Sequence, residues 1–180
     1  LAWHGYAHPA LRPMRDVDFL VDPARIRDAH AALGEAGFAA RPASVPIDHA
    51  LSHHKHLPPL VSSQTGVAVE LHIRLTDSPP PPRGAPLFDD PPRLLARSRP
   101  LPFAGHGVPC LDPTDSLLHL IVHAVIDHRL DNGPLILTDV EAALRSPIDW
   151  PRLWTMARGN GWDRACALVL ALARRHRGAM

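Results

Sequence analysis

Arg12-Pro13-Met14-Arg15-Asp16-Val17-Asp18-Phe19-Leu20-Val21 reads as one β-strand carrying two carboxylates on one face. Side chains alternate across a strand, so Val17, Phe19 and Val21 point one way and Asp16, Asp18 and Leu20 the other. The two acids lie two strand rises apart, roughly 6 to 7 Å between Cα atoms. At that spacing their oxygens can turn toward a common point, and a divalent cation such as magnesium relieves their repulsion. The competing reading is a pair of solvated acids on an exposed strand edge.

Val67-Ala68-Val69-Glu70-Leu71-His72-Ile73-Arg74-Leu75 is the cleanest period-two segment in the chain. Val67, Val69, Leu71, Ile73 and Leu75 make an apolar face, while Ala68, Glu70, His72 and Arg74 make the other. If both strands belong to one sheet and share a core, Glu70 falls on the side of Asp16 and Asp18, flanked by His72 and Arg74. Three carboxylates so placed can hold two metal ions for phosphoryl or nucleotidyl transfer.

Between these strands, Asp22-Pro23 marks a helix start and Gly37 its stop, with Ile26, Ala29, Leu33 and Ala36 at helical spacing. Phe38 to Arg41 suits a short strand, Ser44 to Leu51 takes no assignment, and Lys55 to Val61 suits a strand that turns into the Glu70 strand. The prolines of Asp77 to Pro86 exclude helix and sheet interior there. A short helix is expected around Arg93 to Arg97, and a hairpin over Leu101 to Leu111 turned at Gly105-His106-Gly107. Asp112-Pro113 opens a second helix with its buried stripe on Leu117, Leu118, Ile121, Val122 and Val125. Leu135 to Leu144, Trp150 to Gly159 and Asp163 to Arg177 give three more.

The run Leu11 to Val21, then Val69-Glu70-Leu71-His72, then Leu118-His119-Leu120-Ile121-Val122-His123 with Thr138-Asp139-Val140 after it, resembles the uncharacterised nucleotidyltransferase family. That family belongs to the polymerase-β-like superfamily, which also holds the antibiotic nucleotidyltransferases. The resemblance spans nearly the whole chain, through Ile148-Asp149-Trp150 and the final helix. It implies an α+β fold: a palm-like mixed sheet with flanking helices over residues 1–76, a Pro-rich linker or loop over 77–100, and a helical lobe over 101–180. It also implies a two-metal magnesium site, with Asp16 and Asp18 bridging both ions and Glu70 holding the second and serving as general base. The substrate would be a nucleoside triphosphate, and the acceptor of the nucleoside monophosphate a small molecule. Arg12 and Arg15 would neutralise phosphate charge. His56 and His72 would flank the acids. His123 and Asp139 would face them from the helical lobe, in direct or water-bridged contact with each other, to position the acceptor. Superfamily members carry a Gly-Ser or Lys-Gly turn ahead of the first aspartate; none is visible before Asp16, so the chain is read as N-terminally truncated, lacking the first strand and helix. A non-catalytic binding module that keeps the fold without turnover is the alternative of a different class.

Lys plus Arg number 19 against 18 Asp plus Glu, a net charge of +1, so no basic field marks a nucleic-acid groove. Two cysteines without Cys-x-x-Cys spacing, Cys110 and Cys166, fit a reduced cytoplasmic protein, and no apolar run is long enough to span a membrane. The 13 histidines stand out in the composition. His53, His54 and His56 cluster before a strand without a second ligand set. Asp115, His119, His123 and Asp127 recur every four residues on one helical stripe, which opens a further alternative, a His/Asp metal hydrolase, although no Glu of a His-Glu-x-x-His motif accompanies them.

Overall fold

The alternation of Val67 to Leu75 becomes the central strand of a mixed sheet. The computed structural model describes residues 5–14, 16–41, 44–77, 81–84, 88–131 and 133–178. The chain divides into two compact units: Pro13–Asp77, and a second made of the residues up to Arg12 together with those from Ser78 onward.

In the first unit β1 (Asp16–Leu20), β2 (Phe38–Ala40), β3 (Leu60–Ser62) and β4 (Ala68–His72) form one sheet in the order β1-β4-β3-β2. β1 runs parallel to β4, with Asp18 opposite Glu70 and Leu20 opposite His72. β3 is antiparallel to both β4 and β2. Asp22 accepts a hydrogen bond from Ala24 N, and Pro23 begins a 3-10 turn that leads into α1 (Ile26–Glu35). Proline costs nothing there, because its missing N–H is one the helix start would leave unpaired. Gly37 stops the helix in the left-handed region, φ 86°.

The segment without a sequence assignment folds as α2 (Ile47–His53), which seats Ala50 in the core. Ile26, Ala50, Leu57, Val69 and Leu71 are the buried centre, with Val17, Val21, Ala29 and Leu33 packed around them. Phe19, expected on that core face, is exposed instead. β1 has β4 on one side and no further strand beyond it among the described residues, so nothing from the sheet covers the ring. Past the sheet's regular ladder, residues 55–57 continue the pairing: Leu57 N donates to Leu71 O and Ile73 N to Lys55 O, both at 2.9 Å. That arrangement places His56 opposite His72. Lys55, the one lysine of the chain, is buried and lies 3.7 Å from Asp77 Oδ2.

The second unit carries a 3-10 turn at Pro9–Leu11, then α3 (Pro91–Arg97), capped by Asp90, and the hairpin β5 (Arg99–Phe103) and β6 (His106–Cys110). The hairpin turns on Ala104-Gly105, one position ahead of the expected Gly105-His106-Gly107. Both residues have positive φ, 48° and 80°, as a two-residue type I′ turn requires. Then come α4 (Pro113–Val122), a π-helical turn (His123–Asp127), α5 (Leu135–Ala143), α6 (Trp150–Gly159) and α7 (Asp163–Arg177). α4 is held at its start by Asp112, whose Oδ1 accepts from Thr114 N and Asp115 N. Its face of Leu117, Leu118, Ile121 and Val122 is fully buried, as are Val140 of α5, Leu153 and Ala157 of α6, and Cys166, Val169 and Ala173 of α7. The architecture is thus mixed α+β, with a four-stranded mixed sheet and seven α-helices among the described residues. No helix among them is long and apolar enough to cross a membrane.

Candidate functional site

Parallel pairing of β1 with β4 sets Asp18 beside Glu70 on the sheet face away from Val69 and Leu71. Two residues on, His72 shares that face. Its Nε2 lies 3.4 Å from Asp18 Oδ1 and 3.5 Å from Glu70 Oε2. The three side chains offer ligand atoms that all lie within 4.8 Å of one another, and they are the one such group of three among the described residues. Burial is graded across the group: His72 is 6% exposed, the Glu70 side chain 20%, and the Asp18 side chain 51%. The imidazole forms the floor and Asp18 the open rim.

The tautomer of His72 follows from its other nitrogen. Nδ1 is 3.3 Å from the Arg74 carbonyl oxygen, which can only accept, so Nδ1 carries a proton. Nε2 is left facing the carboxylates. It is buried and makes no well-aligned hydrogen bond at those two distances. A buried polar atom in that position calls for a partner, and a cation fits where a ring lone pair and two carboxylates converge. Without one, the ring takes up a proton: burial opposes its charging, but Asp18 and Glu70 outweigh burial and raise its pKa to about 9. The same contact with His72 holds the Glu70 carboxyl below the ordinary carboxylate range against the effect of its own burial. His56 adds to that. Its Nδ1 is 3.6 Å from Glu70 Oε2, and its ring lies 4.9 Å from that of His72. An open depression of about 180 Å³ adjoins His56, lined also by Val45, Ala50, His54 and Pro58.

Of the residues singled out from the sequence, Asp18, Glu70, His72 and His56 come together. Asp16 stands at the start of β1, exposed, opposite Ala68, and does not join the group within 4.8 Å. Arg15 lies outside the described residues. Arg12 is bound in the second unit, where its Nε and Nη2 donate to Asp139 Oδ1 and Oδ2, each at 2.9 Å. Asp139 also accepts from the Tyr6 hydroxyl at 2.6 Å. A direct hydrogen bond between His123 and Asp139 is not made. A bidentate guanidinium and a phenol occupy the carboxylate, and His123 turns to Asp127 and His128. Nor do the four residues of the α4 stripe act as a set, because Asp115 faces Arg97 Nε at 2.9 Å and Arg152 Nη1 at 2.7 Å.

Two site features were not foreseen. His72 does flank the two acids, and its Nε2 lies close enough to both to be grouped with them; its position two residues after Glu70 on an alternating strand was the available signal. Tyr6 has no local signal, since its partner is 133 positions away.

The fold and site define a mixed α+β protein with a carboxylate-imidazole centre suited to a divalent cation. The chain belongs to the uncharacterised nucleotidyltransferase family, whose model matches residues 1–178, and this membership supports a general nucleotidyltransferase role. No curated protein matches the chain.

Proposed function

We propose that the chain is a divalent-cation-dependent nucleotidyltransferase with a palm-like sheet, which moves a nucleoside monophosphate from a nucleoside triphosphate to a small acceptor. The observation that carries this reading is the convergence of Asp18, Glu70 and His72 on paired parallel strands in a chain of this family. A bound cation, Mg2+ in this reading, would neutralise triphosphate charge and lower the pKa of the acceptor hydroxyl. Asp18 and Glu70 would hold it, with Nε2 of His72 as the nitrogen donor and Asp16, two residues before Asp18 on the same strand, available to a second ion. The acceptor oxygen bonds to the α-phosphorus while the bond from that phosphorus to the pyrophosphate oxygen breaks. Glu70, kept ionised by His72, takes the acceptor proton. The Arg74 carbonyl holds the His72 ring in the orientation that presents Nε2. The depression beside His56, with its mostly apolar lining, suits the acceptor or the base.

The test incubates the chain with an α-labelled triphosphate, Mg2+ or Mn2+ and a pool of hydroxyl and amine acceptors, and follows pyrophosphate release and label transfer. Cation-dependent release that Asp18→Asn and Glu70→Gln both abolish is the expected result. Cation-dependent triphosphate binding without release would identify a binding module. Release that persists in both variants would overturn the site.

A further inference from the structure

In the second unit, the π-helical turn after α4 brings imidazole and carboxylate side chains into pairwise contact. In an α-helix, side chains five positions apart diverge by about 140°. Here His128 N donates to His123 O at 3.0 Å, an i to i+5 bond that lays residue 128 over residue 123. The two Nε2 atoms are 3.1 Å apart, with the rings edge to face at 4.3 Å. Asp127 Oδ2 lies 3.2 Å from His123 Nδ1, and the Asp127 side chain is almost fully buried. One α-helical turn earlier, the His119 ring sits 5.5 Å from that of His123.

The backbone that closes this arrangement is strained. Arg129 and Leu130 both take positive φ, 49° and 64°, and Leu130 N donates to Ala124 O at 2.7 Å. Two consecutive side-chain-bearing residues rarely adopt that region unless the surroundings hold them there, and such strain collects at functional sites. Turns of the π type do likewise.

The proton inventory shows what a bound ion would replace. A carboxylate accepts, so His123 Nδ1 carries the hydrogen shared with Asp127, and His123 Nε2 presents a lone pair. A carboxylate on the ring N–H opposite an unprotonated Nε2 is how metal-bound histidines are oriented and made more basic. His128 Nε2 must then donate the proton that fills the gap. Exchanging that proton for a metal ion needs little movement, because two imidazole nitrogens at 2.0–2.1 Å from a tetrahedral ion stand roughly 3.3 Å apart. His123 and His128 are both part-exposed, so an ion has access.

We propose that His123 and His128 bind a zinc-class divalent ion through their Nε2 atoms, with Asp127 orienting His123 and His119 turning in as a third ligand. Imidazole donors select borderline transition metals over magnesium, so this site would be chemically distinct from the one on the sheet.

The untagged chain carrying Asp18→Asn and Glu70→Gln, which removes the carboxylate centre, is stripped with chelator. Zn2+ is then titrated against a chromophoric chelator. One tight equivalent is expected. It should be lost in His123→Ala and in His128→Gln, and weakened about 10- to 100-fold by Asp127→Asn. It should survive His49→Ala with His53→Ala, which removes the stacked surface pair most able to hold zinc adventitiously. Circular dichroism checks that each variant is folded. Co2+ in place of Zn2+ gives a reading without substitution, since a tetrahedral site produces intense visible absorption. Absence of a tight equivalent, an equivalent indifferent to His123→Ala and His128→Gln, or bound Co2+ lacking that absorption would each overturn the proposal.

Discussion

Replacing Arg12 by alanine removes both donors that Asp139 receives from a guanidinium and leaves the carboxylate, among the described residues, with the Tyr6 hydroxyl. The Asp139 side chain is 5% exposed, so its charge is stranded where water barely reaches it. Breaking a buried ion pair from one side costs about 3–5 kcal/mol. Arg12 itself is 22% exposed, and the solvent that enters in its place relieves part of that, so about 2–3 kcal/mol is expected. For a unit of roughly 100 residues this lowers the melting temperature by about 8–20 °C. Arg12→Lys keeps the charge but loses the fork, and should fall between wild type and alanine. Asp139→Asn in the Arg12→Ala background removes the stranded charge. The double variant should be more stable than the sum of the singles by about 1–2 kcal/mol, a coupling that only direct contact produces. Thermal melts followed by circular dichroism measure all of this, with triphosphate binding measured alongside. An Arg12→Ala variant that melts with wild type yet binds triphosphate many-fold more weakly would refute the structural role and return Arg12 to the phosphate.

Arg152→Ala should also destabilise, by about 2–4 kcal/mol, because Arg152 bridges Asp112 at 2.6 Å and the buried Asp115 at 2.7 Å, while Arg97 remains on Asp115. Burial raises the Asp112 pKa, but Arg152 and the backbone N–H groups of α4 overcome it and hold the carboxyl below its usual value. Its share of wild-type stability is therefore present above the unfolded carboxylate pKa and lost as pH falls through the folded value. Without Arg152 that part of the lowering is lost, so the gap between variant and wild type should narrow from pH 7 to pH 3; a constant gap in urea titrations would contradict this. Asp18→Asn combined with Glu70→Gln should shift the urea midpoint by less than about 1 kcal/mol equivalent, since Asp18 is half exposed, while abolishing Mn2+ binding measured by water-proton relaxation. Cys166 is fully buried, and burial, with a smaller push from Asp163, raises its thiol to about 12. At pH 8 a maleimide should label Cys110 in the native chain and Cys166 only after denaturation; native labelling of Cys166 would show that α7 does not hold as described.

Much of this arrangement was legible in the sequence wherever one local period decided the matter. The alternation of Val67 to Leu75 gives both the core side of β4 and the side of Glu70, and the proline and glycine limits give α6 and α7 to the residue. Period two names a face but says nothing about what covers it. That is why the burial of His72 was not visible: it depends on the irregular segment around His56 crossing beside it. Asp16 shares a face with Asp18, yet its cross-strand neighbour is Ala68, which brings no ligand. α2, with seven residues, is too short for a helical period to register. The partners of Asp139 sit at positions 6 and 12, beyond any local pattern. Helical spacing of four joined His123 to Asp127 but could not find His128, which only an i to i+5 turn brings into place.

The parallel pairing of β1 with β4 ties the carboxylate centre to the folding order of its unit. About 50 residues separate Asp18 from Glu70, so the loop between them must close before the two acids meet, and a shift of one residue along either strand would turn one acid to the opposite face. α1, β2, α2 and β3 all lie within that loop, so closing it means ordering most of the unit. A cation that binds Asp18, Glu70 and His72 therefore binds the native register and no other, and stabilises it by an amount that rises with the logarithm of its concentration. With β1 at the edge of the sheet among the described residues, metal supply in the proposed reading would act as a clasp on the sheet as well as an aid to chemistry.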